Sequence, residues 1–167
     1  AGKPVPASQA TNASVVINEI QYAPAGTGGE FIELTNPGAT AVDISGWTID
    51  AVDLTIQPGT VIPAGGSIVF VSADTAFRQA YTGANRLVGG EFTGSLDNAG
   101  ETVTVRAGDR VVDTVSYSAT APWPAAAAGT GPSLELSSPT ADNADPANWR
   151  ATSTTGGTPG LVNTGVT

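Results

Sequence analysis

Histidine, cysteine and methionine are absent from this sequence of 167 residues, and lysine occurs once, at Lys3. Without His and Cys there is no His-based zinc site, no thiolate ligand, no cysteine nucleophile and no disulfide framework. A serine nucleophile would have only Lys3 or unsupported carboxylates to activate it, so Ser-His-Asp chemistry is excluded. Basic residues are scarce: six against fifteen acidic ones, a net charge of −9, with Arg78, Arg86, Arg106, Arg110 and Arg150 scattered along the chain. Phosphate backbones and anionic membranes are held by clustered Lys and Arg, so binding to nucleic acid is not expected of this domain alone. No run approaches the roughly 18 apolar residues of a spanning helix. Charged residues make up 13%, about half of the usual share of roughly 25%.

What is present is Thr, Ser, Asn and Gly among short apolar runs, with 21 Gly and 12 Pro breaking the chain often. Such punctuation suits short strands and turns. Strand signals recur roughly every 10 to 15 residues, at 15–21, 30–35, 41–44, 47–50, 60–62, 67–71, 102–106, 111–117 and 133–137. Asn36-Pro37-Gly38 marks a turn, and Ala107-Gly108-Asp109 joins the clearest hairpin, where Val103 and Val105 alternate with Thr102, Thr104 and Arg106. Only 74–81 has helical character, with Asp74 placed to cap it. The pattern predicts an all-β fold: an immunoglobulin-like antiparallel β-sandwich of about nine short strands, with at most one short helix near 74–81. Antiparallel pairing is expected because crossover helices are lacking. The expected core is Ile17, Ile20, Phe31 or Ile32, Leu34, Ile44, Trp47, Ile49, Val69, Val71, Val103, Val105, Val112, Val115, Leu134 and Leu136.

Carboxylates lie inside the strongest apolar runs. In an extended chain Glu33 shares a face with Phe31, and Glu30 shares one with Ile32 and Leu34, so one of them must stand on or near an apolar face. With Glu19 in Asn18-Glu19-Ile20, they are candidates for an acid–base pair or a hard-cation site such as Ca²⁺. The favoured reading is structural, with buried carboxylates taking loop amides or arginines as partners and fixing strand register. Asp142-Asn143-Ala144-Asp145-Pro146 is a second cluster, with Asp142 and Asp145 as Ca²⁺ candidates. It lacks the glycine and the terminal glutamate of a calcium loop. An Asx turn leading to a packed Trp149 explains it more simply.

Weaker patterns complete the survey. Gly129-Thr130-Gly131-Pro132-Ser133 lacks the Gly-Lys-Ser/Thr ending of a phosphate loop. A two-carboxylate glycosidase survives on residue type, yet Trp47, Trp123 and Trp149 are better placed as core or loop anchors than as a sugar platform. Asn12-Ala13-Ser14 fits an N-glycosylation acceptor.

The order of motifs resembles the lamin tail domain. Ile17-Asn18-Glu19-Ile20 is followed by Gly29-Glu30-Phe31-Ile32-Glu33-Leu34-Thr35-Asn36 and Val42-Asp43-Ile44-Ser45-Gly46-Trp47-Thr48-Ile49. Pro58-Gly59-Thr60-Val61-Ile62-Pro63-Ala64-Gly65-Gly66 and Leu96-Asp97-Asn98-Ala99-Gly100-Glu101 come next. Val112-Asp113-Thr114-Val115-Ser116-Tyr117, Trp123-Pro124, Gly129-Thr130-Gly131-Pro132-Ser133-Leu134-Glu135-Leu136 and Asp145-Pro146-Ala147-Asn148-Trp149 extend the resemblance to about residue 163. The resemblance implies an immunoglobulin-like sandwich and a non-catalytic module, with no catalytic residues to carry over. In animals the family ends nuclear filament proteins and contacts proteins and chromatin; bacterial relatives are parts of secreted or surface proteins, often beside hydrolases. This chain has no coiled-coil rod, prenylation box or basic patch, so the filament and chromatin roles do not transfer.

The reading that follows is a non-catalytic interaction or adhesion module, accessory to a larger secreted or cell-surface bacterial protein, with a protein or cell-surface partner and no cofactor. The alternatives are a divalent-cation-binding or carboxylate-based hydrolase module, with Glu19, Glu30, Glu33, Asp142 and Asp145 as the ligand candidates, and an inert spacer. Residues 1–13 are expected to be a disordered linker or tag remnant, 14–163 the domain, and 164–167 a tail, in a piece of a longer protein whose targeting segment lies elsewhere. Thr154-Thr155-Gly156-Gly157-Thr158-Pro159-Gly160 reads as a turn-rich closure.

Overall fold

Alternation along Phe31-Ile32-Glu33-Leu34-Thr35 sends Ile32 and Leu34 to one face of a strand and Phe31, Glu33 and Thr35 to the other, yet all five are buried. That double burial organises the computed structural model of the chain, which describes residues 14–82, 86–161 and 163. The expected linker over 1–13, the tail over 164–167 and the glycosylation pattern at Asn12 lie outside the described residues.

The strands are β1 (Val16–Gln21), β2 (Phe31–Thr35), β3 (Val42–Asp43), β4 (Thr48–Asp50), β5 (Leu54–Thr55), β6 (Val61–Ile62), β7 (Ser67–Val71), β8 (Val88–Glu91), β9 (Gly100–Ala107), β10 (Arg110–Ser118), β11 (Leu134–Leu136) and β12 (Trp149–Ala151), with one helix, α1 (Asp74–Ala80). They form a six-stranded sheet in the order β12-β11-β1-β2-β7-β8, a four-stranded sheet β10-β9-β4-β5 and the pair β3-β6. The architecture is an immunoglobulin-like β-sandwich.

Three strands exceed the expected nine. β5 has two residues, β8 is Val-Gly-Gly-Glu, and β12 follows a 3₁₀ turn, so none carries an alternating apolar signal. Pairing is antiparallel throughout except β7 with β8, which is parallel. Helix α1 is itself the crossover that a parallel pair requires. Asp74 does not cap it: its side chain takes Arg78 Nε at 2.8 Å, while Glu91 of β8 accepts the Asp74 N–H at 2.6 Å.

The inner face of the six-stranded sheet (Ile17, Ile20, Ile32, Leu34, Ile68, Phe70, Leu134, Leu136) packs on Ile49, Val103, Val105, Val115 and Tyr117 of the other sheet. Every expected core residue is buried except Val112, which is half-buried against the core. Both Phe31 and Ile32 are core, but of different clusters, because the outer face has its own: Phe31, Val69 and Val71 beneath Phe77 of α1.

Two polar side chains fasten the frame. Asn36, buried after β2, donates from Nδ2 to the carbonyls of Thr40, Ile62 and Pro63 and accepts from the Gly38 N–H at 3.0 Å, so one amide holds the turn and the β6 strand together. Asp113 on β10 accepts the Ile17 N–H at 2.7 Å and Asn143 Nδ2 at 2.5 Å, bridging the two sheets. Burial raises its carboxyl and the Ile17 bond offsets part of that. Asn36→Ala orphans three carbonyls and one amide and is expected to lower the unfolding free energy by about 2 kcal/mol, read from urea denaturation at constant m-value. An unchanged midpoint would contradict the role given to Asn36.

Candidate functional site

A β-bulge at Asn18 sets the register of β1. Ile17 pairs with Leu34 and Ile20 with Ile32 on the inner face, although strict alternation would send Ile17 and Ile20 to opposite faces. The extra residue turns Glu19 and Gln21 outward, and Glu19 comes to stand opposite Glu33 on β2. On its other side Glu19 pairs with Glu135 of β11, which in turn pairs with Arg150 of β12. The outer face therefore carries one cross-strand row, Arg150, Glu135, Glu19, Glu33, Val69.

All three glutamates of this row are 0% exposed. Their cover is the segment after β12. Glu19 Oε2 accepts the Thr158 N–H and the Ser133 hydroxyl, both at 2.7 Å, and Oε1 accepts the Thr158 hydroxyl at 2.8 Å. That hydroxyl also lies 3.3 Å from Glu135 Oε2. Glu33 Oε1 accepts Asn18 Nδ2 at 2.8 Å and Oε2 the Gly160 N–H at 2.5 Å. Asn163 closes the far end through a reciprocal amide pair with Asn18 and a 2.7 Å bond to the Leu136 carbonyl. Gly157 crosses the row so closely that a Cβ would press on Glu19 Oε2 and Ser133 Oγ, and its φ of +79° is a conformation suited to glycine.

Removing these carboxyls from water favours their neutral forms. Burial raises Glu19 from 4.5 to about 7 against the pull of its three hydrogen bonds. Burial, reinforced by the neighbouring Glu19, raises Glu33 to about 8. The pair titrates as a unit. Ser133 and Glu19 form a hydroxyl–carboxyl pair, but both are sealed from solvent and no substrate reaches them. The geometry can hold segments together and store protons.

The five sequence candidates fall in three places. Glu19 and Glu33 share the row. Glu30 stands half-buried at the head of β2, where its Oε1 accepts the Leu96 N–H at 3.0 Å; burial raises its pKa, and Glu101 adds to the rise. Asp142 and Asp145 accept the N–H groups of Ala144 and Ala147 in an exposed loop, which seats Trp149 with its indole N–H on the Asn143 carbonyl at 2.9 Å. Among the described residues no group of three or more His, Cys, Asp or Glu is arranged to hold a metal ion. Sequence reasoning missed Glu135, although Leu134-Glu135-Leu136 repeats the Ile32-Glu33-Leu34 signal of a carboxylate between core residues. Asn18, Thr158 and Asn163 gave no signal of their own.

Two clefts flank the covering segment. One, of about 240 Å³, lies between residues 24–28, Tyr81 and Gly156 with Gln21 at its wall. The other, of about 230 Å³, lies between Gly65, Ser67, Pro139 and Leu161. Neither is lined by an ionisable acid or base apart from the Tyr81 phenol.

The model of the Lamin Tail Domain family matches residues 8–119, more than half of the chain. The chain belongs to the lamin tail domain family. No curated protein matches it. The family is one of immunoglobulin-like, generally non-enzymatic domains of the protein-interaction type. The matched stretch includes Glu19, Glu30 and Glu33, whereas Glu135 and the covering segment lie beyond it, so the lamin tail match ends short of what seals the row. None of the described helices is long and apolar enough to cross a membrane.

A glutamine at position 33 would set an amide N–H against one of the donors, Asn18 Nδ2 or Gly160 N. Glu33→Gln is expected to cost about 1–3 kcal/mol at pH 5.5. Unfolded glutamates release protons near 4.5, whereas the folded pair keeps them to about 7 and 8, so the folded state binds more protons in that window. Wild-type stability is therefore expected to be highest at or below about pH 4.5 as far as these groups go and to fall as pH rises through 8. Because the variant has no charge to bury there, the gap between the two proteins narrows by pH 9. Denaturant titrations across pH 5.5 to 9 check both; wild-type stability that climbs over that range contradicts the assignment.

Proposed function

We propose that this lamin tail domain is a non-catalytic interaction module, accessory to a larger secreted or cell-surface bacterial protein, and that it holds a protein or cell-surface partner through a sheet edge. The observation that supports this reading is β10. Nine residues long, it ends the four-stranded sheet, and among the described residues no strand pairs with its other edge. Natural edges are commonly blunted by lysine or proline, and Arg110–Ser118 contains neither. Val111, 46% exposed, and Thr114 and Ser116 face solvent along it. A strand of that length offers main-chain bonds to an added strand. The buried carboxylates serve the fold in this reading.

Deleting the domain from its parent protein is expected to abolish surface retention of the parent while leaving the intrinsic turnover of any neighbouring catalytic domain intact. Val111→Lys combined with Ser116→Lys is expected to cut retention at least ten-fold, with the circular dichroism spectrum and melting temperature unchanged. A parent that keeps its localisation and activity without the domain would instead identify it as an inert spacer.

A further inference from the structure

Most of the sandwich is held by apolar packing, but the segment that covers the carboxylate row is not. Of its residues, Gly157, Thr158 and Pro159 are buried, and its one large apolar side chain, Leu161, is 48% exposed. Its grip consists of polar bonds: Thr158 to Glu19 and Glu135, Gly160 to Glu33, and Asn163 to Asn18 and Leu136. On its outer side Arg86 Nε holds the Pro159 carbonyl at 2.9 Å, and the Tyr81 hydroxyl holds the Gly156 carbonyl at 2.7 Å. Segments with few apolar contacts are those that open locally.

We propose that residues 157–163 form a clasp, closed over the Glu135–Glu19–Glu33 row while its carboxyls are neutral and released, with the sandwich intact, when they ionise. This goes beyond the reading of β10 and does not depend on it.

The groups facing the row decide the direction. From β1, β2 and β11 come Glu19, Glu33 and Glu135 themselves; β12 contributes Arg150, exposed and across from Glu135; β7 contributes the untitratable Val69. Tyr81 and Arg86 reach the outer side of the clasp. No cation sits between Glu19 and Glu33, whose oxygens are filled by Asn18, Ser133, Thr158 and Gly160. A lone carboxylate would grip the Thr158 and Gly160 N–H groups more tightly once ionised. Two adjacent dry ones repel each other and lack solvation, and that cost is relieved by water. Water enters most easily by lifting the clasp, because the alternative is to break the ladder of β11, β1 and β2 together with its inner-face packing. Release turns a sealed row into an exposed acidic stripe and frees the path of the chain through Asn163. The high proton affinity of Glu19 and Glu33 places the transition on the alkaline side of neutrality.

Amide hydrogen exchange of the full chain, corrected for intrinsic rates, tests this at pH 5.5, 7 and 9. Protection of the Thr158 and Gly160 amides is expected to fall at least ten-fold by pH 9 while Val103 and Val105 keep theirs. Glu19→Gln combined with Glu33→Gln is expected to abolish that pH dependence, whatever the level of protection. Constant protection of Thr158 and Gly160 up to pH 9, or simultaneous loss at Val103 and Val105, would overturn the proposal from the wild-type protein alone. Persistence of the pH-dependent loss in the double variant would overturn it equally.

Discussion

Carboxyl groups taken out of water side by side must find donors within the protein, and the outer face of the six-stranded sheet is arranged around that demand. Glu19 and Glu33 have no arginine or lysine between them; they are met by main-chain amides, hydroxyls and one side-chain amide. A buried carboxylate of this kind is tolerated when it is hydrogen-bonded and able to keep its proton. The donors come from a segment far along the chain: Thr158 is 139 residues from Glu19, and Gly160 is 127 from Glu33. Closing that loop ties the two ends of the described chain to one face, so the carboxylate row acts as a long-range fastener of the fold.

The same demand explains the bulge. Were β1 regular, Ile17 and Ile20 could not both reach the inner core, and Glu19 could not meet Glu33. With Asn18 as the additional residue, both conditions hold, and the Asn18 side chain becomes the link between Glu33 and Asn163. One short motif thus serves core packing, register and closure together. Asp113 repeats the principle between the sheets by accepting the Ile17 N–H next to the bulge.

Much of this was legible in the sequence because strands that bury one face write their period into it. The nine alternating runs became strands, and the residues expected in the core are packed there. What escaped had no periodic signature. β8 is half glycine, β5 and β12 are too short to alternate convincingly, and the parallel pairing of β8 depends on α1 acting as a crossover. The carboxylates of β1 and β2 were conspicuous, and their structural use was the favoured reading. Their third member was not recognised, since Glu135 gains its meaning only from the register of β11 against β1. Nor could the stretch 154–163 announce itself: as sequence it is Thr, Gly and Pro in a turn-rich run, and its task depends on which side chains lie beneath it.

The central claim is that Glu19 and Glu33 remain neutral in the folded protein at a pH where ordinary glutamates are fully ionised. Titrating the side-chain carboxyl carbons by nuclear magnetic resonance, in the folded full chain, reads this directly. The account predicts that two of the glutamate signals, assigned to Glu19 and Glu33, stay in the protonated position at pH 6 and move only between about 7 and 8. If both signals complete their shift near the ordinary 4.5, the row is charged in the native protein and the account is wrong.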